Sequence, residues 1–154
     1  MYFGTSALSE STVKDIVTDA EPQISRIYEH MLKYEVQTNR QSKSWLQSMY
    51  DGRLEALTSI KNNKEAMKRL RDQDEKLYRE GQRKAIKALS KGGIDPKDVV
   101  PADKSIYNID IVLSKGFIEN FTLSNINDRC PSINRDMIND TSINYQVPDQ
   151  YYMK

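Results

Sequence analysis

The stretch 53–91, RLEALTSIKNNKEAMKRLRDQDEKLYREGQRKAIKALSK, decides the fold class. It holds no proline and is dense in Lys, Arg, Glu, Leu, Met and Ala, residues that lose little side-chain freedom in a helix. At about 100° per residue, Met67, Leu70, Leu77, Ala85 and Ala88 gather on one side, the spacing of an amphipathic helix. Asp74 and Gly81 interrupt that stripe, which argues against a strict coiled coil over the full length. Small residues let another backbone approach closely. Met67, Leu70, Leu77, Gly81, Ala85 and Ala88 are therefore the predicted helix-packing seam. Lys91-Gly92-Gly93 closes the helix with a C-terminal signal.

Upstream, Thr12 with Asp15 three residues on resembles a weak capping box, and Val13, Ile16, Val17 and Ala20 follow at helical spacing. Pro22 reads as a kink or a restart, because proline lacks the N–H a helix interior needs. Ile24, Ile27, Tyr28, Met31 and Leu32 then make an apolar face, which fails in the polar run 37–44 and resumes at Trp45, Leu46, Met49 and Tyr50. The connection between helices falls either in 37–44 or at Asp51-Gly52, where glycine would relieve a tight turn. Residues 1–93 thus read as a helical domain, with helices at about 9–36 and 44–91 forming an elongated hairpin or long-helix bundle.

Beyond the glycines the pattern changes. Asp95-Pro96 can cap a short turn through Val100, closed by Pro101. Ile109, Ile111 and Leu113 alternate in strand style, Ser114-Lys115-Gly116 offers a turn, and Phe117 to Leu123 could return as a second strand. Residues 94–124 are accordingly expected to hold a short turn and a small β-hairpin. Residues 125–154 read as an extended polar arm with a loose Ile-Asn repeat. Ile126, Ile133, Ile138 and Ile143, with the terminal Tyr151 and Tyr152, are its candidate anchors for pockets on another subunit.

Composition supports a mainly α, extended protein. The chain is 38% hydrophobic and 29% charged, with a mean hydropathy of −0.73, on the polar side of the roughly 45–50% apolar content of compact domains. The formal net charge of +1 hides an uneven distribution. Residues 1–52 carry five basic and seven acidic side chains, 53–93 twelve and six, and 94–154 six and nine. Lys61, Lys64, Lys68, Arg71, Arg79, Arg83 and Lys87 fall within about half the helix circumference, a candidate face for a polyanion or an acidic partner. Glu65, Asp72 and Glu75 dilute it, so a merely solvated surface is the plainer alternative.

Chemistry is sparse. His30 is the single histidine, which rules out paired-histidine zinc helices, and it lies beside the apolar face of a helix. Cys130, the single cysteine, stands before Pro131 with no local base to activate it and no partner for an intrachain disulfide. Asp72, Asp74 and Glu75 alternate with Arg69, Arg71, Lys76 and Arg79, the pattern of a salt-bridged helix surface. Gly92-Gly93 lacks the spacing of a phosphate loop. No catalytic, cofactor or metal site is expected. No secretory signal or membrane span is visible, so the cytoplasm or the inside of a virus particle is the expected place.

These features point to a non-enzymatic structural or assembly subunit. In composition it is similar to internal, core or head–tail connector components of virus and tailed-phage particles, latching onto neighbours of its own or another kind by its C-terminal arm. The alternatives are a cytoplasmic helical protein that masks one partner, such as an immunity protein or secretion chaperone, and a nucleic-acid-binding accessory protein.

Overall fold

A computed structural model describes residues 10–36, 43–93, 95, 107–125 and 147–153. Its elements are α1 (Glu10–Val36), α2 (Lys43–Ile60), α3 (Lys64–Asp72), α4 (Asp74–Lys91), α5 (Ile109–Val112) and α6 (Phe117–Asn125), followed by a single 3₁₀ turn at Asp149–Tyr151. The protein is mainly helical, and no strand occurs among the described residues.

α1 is the organising helix. It runs unbroken through Pro22, which corrects the reading of that residue as a restart. Pro22 and Thr18 both lie on the exposed side, so the carbonyl left without an N–H partner faces water. Ile24, Ile27, Tyr28, Met31, Leu32 and Tyr34 are all buried, a wider arc than one apolar stripe supplies. The reason is that α1 packs along α2 on one side and α4 on the other. Gln23 and Ile27 face Gly52, while Ser25, Tyr28 and Glu29 face Gly81. Because the end of α1 and the start of α2 are close in sequence, α2 runs back antiparallel along it.

Gly52 is therefore not a turn. It sits inside α2, where an added Cβ would lie 3.0 Å from the Gln23 carbonyl oxygen and 3.1 Å from Ile27 Cγ1. This leaves the connection to 37–42, outside the described residues.

The expected helix 44–91 is three helices. Lys61 and Asn62 take φ of 47° and 63°, a left-handed step that asparagine tolerates, and Asn63 caps the restart by accepting from the Ala66 N–H at 2.9 Å. A second break falls at Gln73 (φ −103°, ψ 6°), between α3 and α4. The end after Lys91 matches the glycine signal, with Gly93 at φ 92°.

The predicted β-hairpin is absent, and two short helices stand in its place. Asn108 caps α5 by accepting from the Ile111 N–H at 3.0 Å, and burial then follows helical spacing: Ile109, Val112 and Leu113 are inside while Ile111 is 38% exposed. A turn at Gly116 (φ 80°) leads to α6, which buries Ile118, Phe121 and Thr122. The proposed turn 95–101 lies outside the described residues except for Asp95. No described helix is long and apolar enough to cross a membrane.

Candidate interaction site

The predicted seam faces inward onto the chain's own α1. Met67, Leu70, Leu77, Gly81 and Ala85 are buried, and Ala88 is half-buried. At Gly81 the backbones approach so closely that a Cβ would lie 2.7 Å from the Ser25 carbonyl oxygen and 2.8 Å from Tyr28 Cβ. The Ser25 hydroxyl donates to the Leu77 carbonyl at 3.1 Å beside this notch, and Tyr28 meets Tyr78 edge-on at 5.3 Å.

Asp74 belongs to the same arrangement. The sequence pattern puts it on a solvated surface, but its carboxylate accepts from the Tyr28 hydroxyl at 2.6 Å and from the Ile109 N–H at 3.1 Å. It ties α1, α4 and α5 together, and burial together with this carboxylate pushes the Tyr28 phenol far above its ordinary pKa. Arg71 completes the tie by a two-pronged bond to Asp110, at 2.9–3.1 Å.

Of the predicted cationic face, Lys61, Lys64, Lys68, Arg71, Arg79, Arg83 and Lys87 are all exposed. Arg71 pairs with Asp110, Arg79 with Glu75 at 2.6 Å and Arg83 with Glu80 at 2.9 Å. Among the described residues Lys61, Lys64, Lys68 and Lys87 make no ion pair. The second half of α4 is the concentrated part: residues 81–91 carry Arg83, Lys84, Lys87 and Lys91 with no acidic side chain between them.

Of a second site the sequence points only to the two tyrosines, Tyr151 and Tyr152. The terminal segment 147–153 lies on the chain's own bundle: Val147 is buried, and Tyr151, Tyr152 and Met153 pack against the core. Two of the six predicted arm anchors, Tyr151 and Tyr152, are thus seated in cis; Ile126, Ile133, Ile138 and Ile143 lie outside the described residues. At the rim, Lys115 Nζ meets Asp149 Oδ1 at 2.6 Å.

Beneath the segment is Arg53, whose side chain is 4% exposed. Its guanidinium lies 5.6 Å from the Tyr50 ring centre and 5.9 Å from that of Tyr152. The nearest carboxylate oxygen, Glu119 Oε2, is 3.8 Å from Nη1, an ion pair but too long for a hydrogen bond. Arg53 Nε and Nη1, Glu119 Oε2, Thr122 Oγ1 and the Tyr50 hydroxyl are buried without a hydrogen-bond partner. Burial first, and the Glu119 carboxylate second, push the Tyr50 phenol up, and burial does the same to Tyr152. The cluster is assembled from three stretches: Tyr50 and Arg53 from α2, Glu119 and Thr122 from α6, and Tyr152 from the terminal turn.

His30 stands apart from both surfaces. It is largely buried in α1, its Nδ1 has no hydrogen-bond partner, and desolvation followed by Lys33 and Arg26 lowers its pKa to about 3. It is a neutral, packed imidazole. Among the described residues no group of three or more His, Cys, Asp or Glu could hold a metal ion.

A family model described as Domain of unknown function DUF29 matches residues 10–118, more than two-thirds of the chain. The match takes in α1 to α5 and Arg53, and stops just before Glu119 and the terminal segment. No curated protein and no solved structure matches.

Proposed function

For a chain that belongs to the DUF29 family, described as a domain of unknown function, we propose a role read from its own surfaces: a non-enzymatic assembly subunit with a terminal latch. The observation that carries this is the seating of residues 147–153. Four apolar side chains and one ion pair gather in a few residues at the end of the 21-residue connection 126–146. A short segment that makes its own apolar contacts and ion pair with the bundle supports a docking role.

The test is mass by light scattering. The intact chain is compared with one ending at Asn125 and with full-length Tyr152→Ala, which keeps the rest of the tail. A multimer that both changes weaken supports the latch. Compact monomers of equal stability in all three cases would remove it.

The second half of α4 favours a second reading, a helical binding protein for one acidic partner. Four exposed cations without an intervening acid attract anions by Coulomb forces that salt screens. Binding that weakens steeply with salt, and weakens again in a Lys84→Glu/Lys87→Glu variant, is the expected behaviour. Binding indifferent to both would exclude it. Nucleic acid gives the same salt response, so a gel shift on duplex DNA separates the two.

A further inference from the structure

We infer that the outer face of α4, from Lys76 to Lys91, binds the phosphate backbone of duplex nucleic acid without reading its sequence. This rests on the reading of α4 as a surface for an acidic partner and names that partner's class. Three observations carry it.

The first is where the charge stands. Residues 76–91 hold six basic side chains and one acidic, in a chain whose formal net charge is +1. Attraction to a polyanion therefore comes from this strip and not from the molecule as a whole, which fixes the side of approach. Lys76, Arg79, Arg83, Lys84, Lys87 and Lys91 are all exposed, while Leu77, Gly81, Ala85 and Leu89 are buried. At about 100° per residue, Lys76, Lys84, Lys87 and Lys91 fall within about a quarter of the helix circumference. At about 1.5 Å per residue they span about 22 Å. The helix dipole favours cations only in the last turn, so it accounts for Lys91 but not for Lys76 or Lys84.

The second is which cations are already paired. Arg79 holds Glu75 at 2.6 Å, and Arg83 holds Glu80, the one acid of the strip, at 2.9 Å. Arginine's planar fork suits a carboxylate, and here the arginines take the acids. Among the described residues Lys76, Lys84, Lys87 and Lys91 make no ion pair. Four lysines are left as point charges, and phosphates that they neutralise release the counterions condensed on a duplex.

The third is the chemistry of the face. Protein interfaces are anchored by aromatic and aliphatic side chains and are poor in lysine. Among the described residues the exposed large hydrophobic side chains are Ile111 and Leu123, on α5 and α6; on α4, Ile86 is half-buried. Tyr78, the strip's aromatic residue, is buried against Tyr28, so its ring is not free to stack on unpaired bases. A lysine row without an apolar anchor or a stacking platform fits a continuous phosphate backbone better than an acidic protein or a single strand.

The test is binding of the full-length chain to a fluorescent duplex of about 24 base pairs and mixed sequence, followed by anisotropy from about 50 to 200 mM salt. Four lysine–phosphate contacts predict a slope of log affinity against log salt of about −3.6, a fall of roughly 150-fold across that range. Lys84→Gln/Lys87→Gln removes two contacts, so it is expected to halve the slope and to weaken binding roughly tenfold or more at the lower salt. Lys14→Gln/Lys43→Gln removes the same charge from exposed positions on α1 and α2 and is expected to leave the slope unchanged. Glutamine is as good a helix former as lysine, and circular dichroism checks that both variants keep their helices.

A duplex that does not bind, beside polyglutamate that binds and weakens with salt, overturns this inference and leaves the acidic-partner reading standing. Tighter binding to phosphatidylserine vesicles than to the duplex overturns it as well. Duplex binding that the two double variants weaken alike, or that neither weakens, overturns it by placing the contact elsewhere than α4. No binding to any of the three probes overturns both readings.

Discussion

The contact between α1 and α4 and the seat under the terminal segment are both buried, but they are closed by opposite means. At Gly81 two backbones meet with no side chain between them, and the polar atoms nearby are paired: Ser25 with Leu77, Tyr28 with Asp74. At Arg53 a long charged side chain fills the space, and two of its own nitrogens and three oxygens around it lack hydrogen bonds. Close approach gives the first contact rigidity, because shape alone fixes it. The second is held by aromatic rings and a loose ion pair rather than by a close backbone contact.

The largest expected effect breaks the first side of that contrast. In Gly81→Val the Cβ alone would stand 2.7 Å from a backbone oxygen and 2.9 Å from the Glu29 backbone nitrogen, so α1 must move away from α4. Overpacking of this kind costs about 3 kcal/mol or more, measured as the shift of the urea midpoint at unchanged slope. A loss below about 1 kcal/mol would mean that the notch is not a close backbone contact.

The seat should answer differently, and asymmetrically. Glu119→Gln removes the nearest anion from a buried guanidinium and is expected to cost about 2 kcal/mol, less than a fully buried pair because Glu119 is 23% exposed. Arg53→Met removes the charge and refills the volume, and is expected to be neutral or slightly stabilising. Urea denaturation of both variants checks the order. If Arg53→Met were the worse of the two, the guanidinium would be contributing more than its burial costs, and the contrast with Gly81 would be lost.

Acid should expose the frame's own weak point. His30 has a pKa of about 3 in the fold against an ordinary 6.5, so the unfolded chain takes up a proton between these values and the fold does not. Above pH 6.5 the group is neutral in both states and contributes no pH dependence. Below it, stability falls with falling pH, by about 2 kcal/mol at pH 5, and the loss is complete only near the folded pKa. Unfolding curves at pH 7.5 and 5 measure this, and His30→Gln should flatten the profile.

What the sequence reveals and what it hides follow the same division. Met67 and Leu70 in α3 and Leu77, Gly81 and Ala85 in α4 all face inward, so a contact repeated at helical spacing is legible from its periodicity even across the break at Gln73. Breaks carried by single side chains are harder: Asn62 and Asn63 stop a helix that the apolar stripe alone would continue. Ile109, Ile111 and Leu113 alternate over too few residues to separate strand from helix, and the Asn108 cap decides it. Asp74 looks like one more surface acid until Tyr28, 46 residues away, is folded against it. Arg53 is the extreme case. Nothing distinguishes it from the exposed cations that follow, because its burial depends on Glu119 and Tyr152, which reach it only through tertiary structure.

The smallest expected effect sharpens the comparison within the frame itself. Gly52 and Gly81 both face α1, on opposite sides, but their clearances differ: 3.0 and 3.1 Å at Gly52 against 2.7 and 2.8 Å at Gly81. Replacing glycine by alanine in a helix interior gains about 1 kcal/mol from backbone entropy, whatever the contact. At Gly52 the nearest side-chain atom is Ile27 Cγ1, which can turn aside, while the Gln23 carbonyl oxygen needs only a few tenths of an ångström. The gain and the clash nearly cancel there, and Gly52→Ala should lie within about 1 kcal/mol of the wild type. At Gly81 two of the three nearest atoms are backbone, which cannot turn aside, so Gly81→Ala should be clearly destabilising. Equal effects at the two positions, measured side by side in urea, would mean that α1 adjusts freely on both flanks and that neither notch fixes the frame.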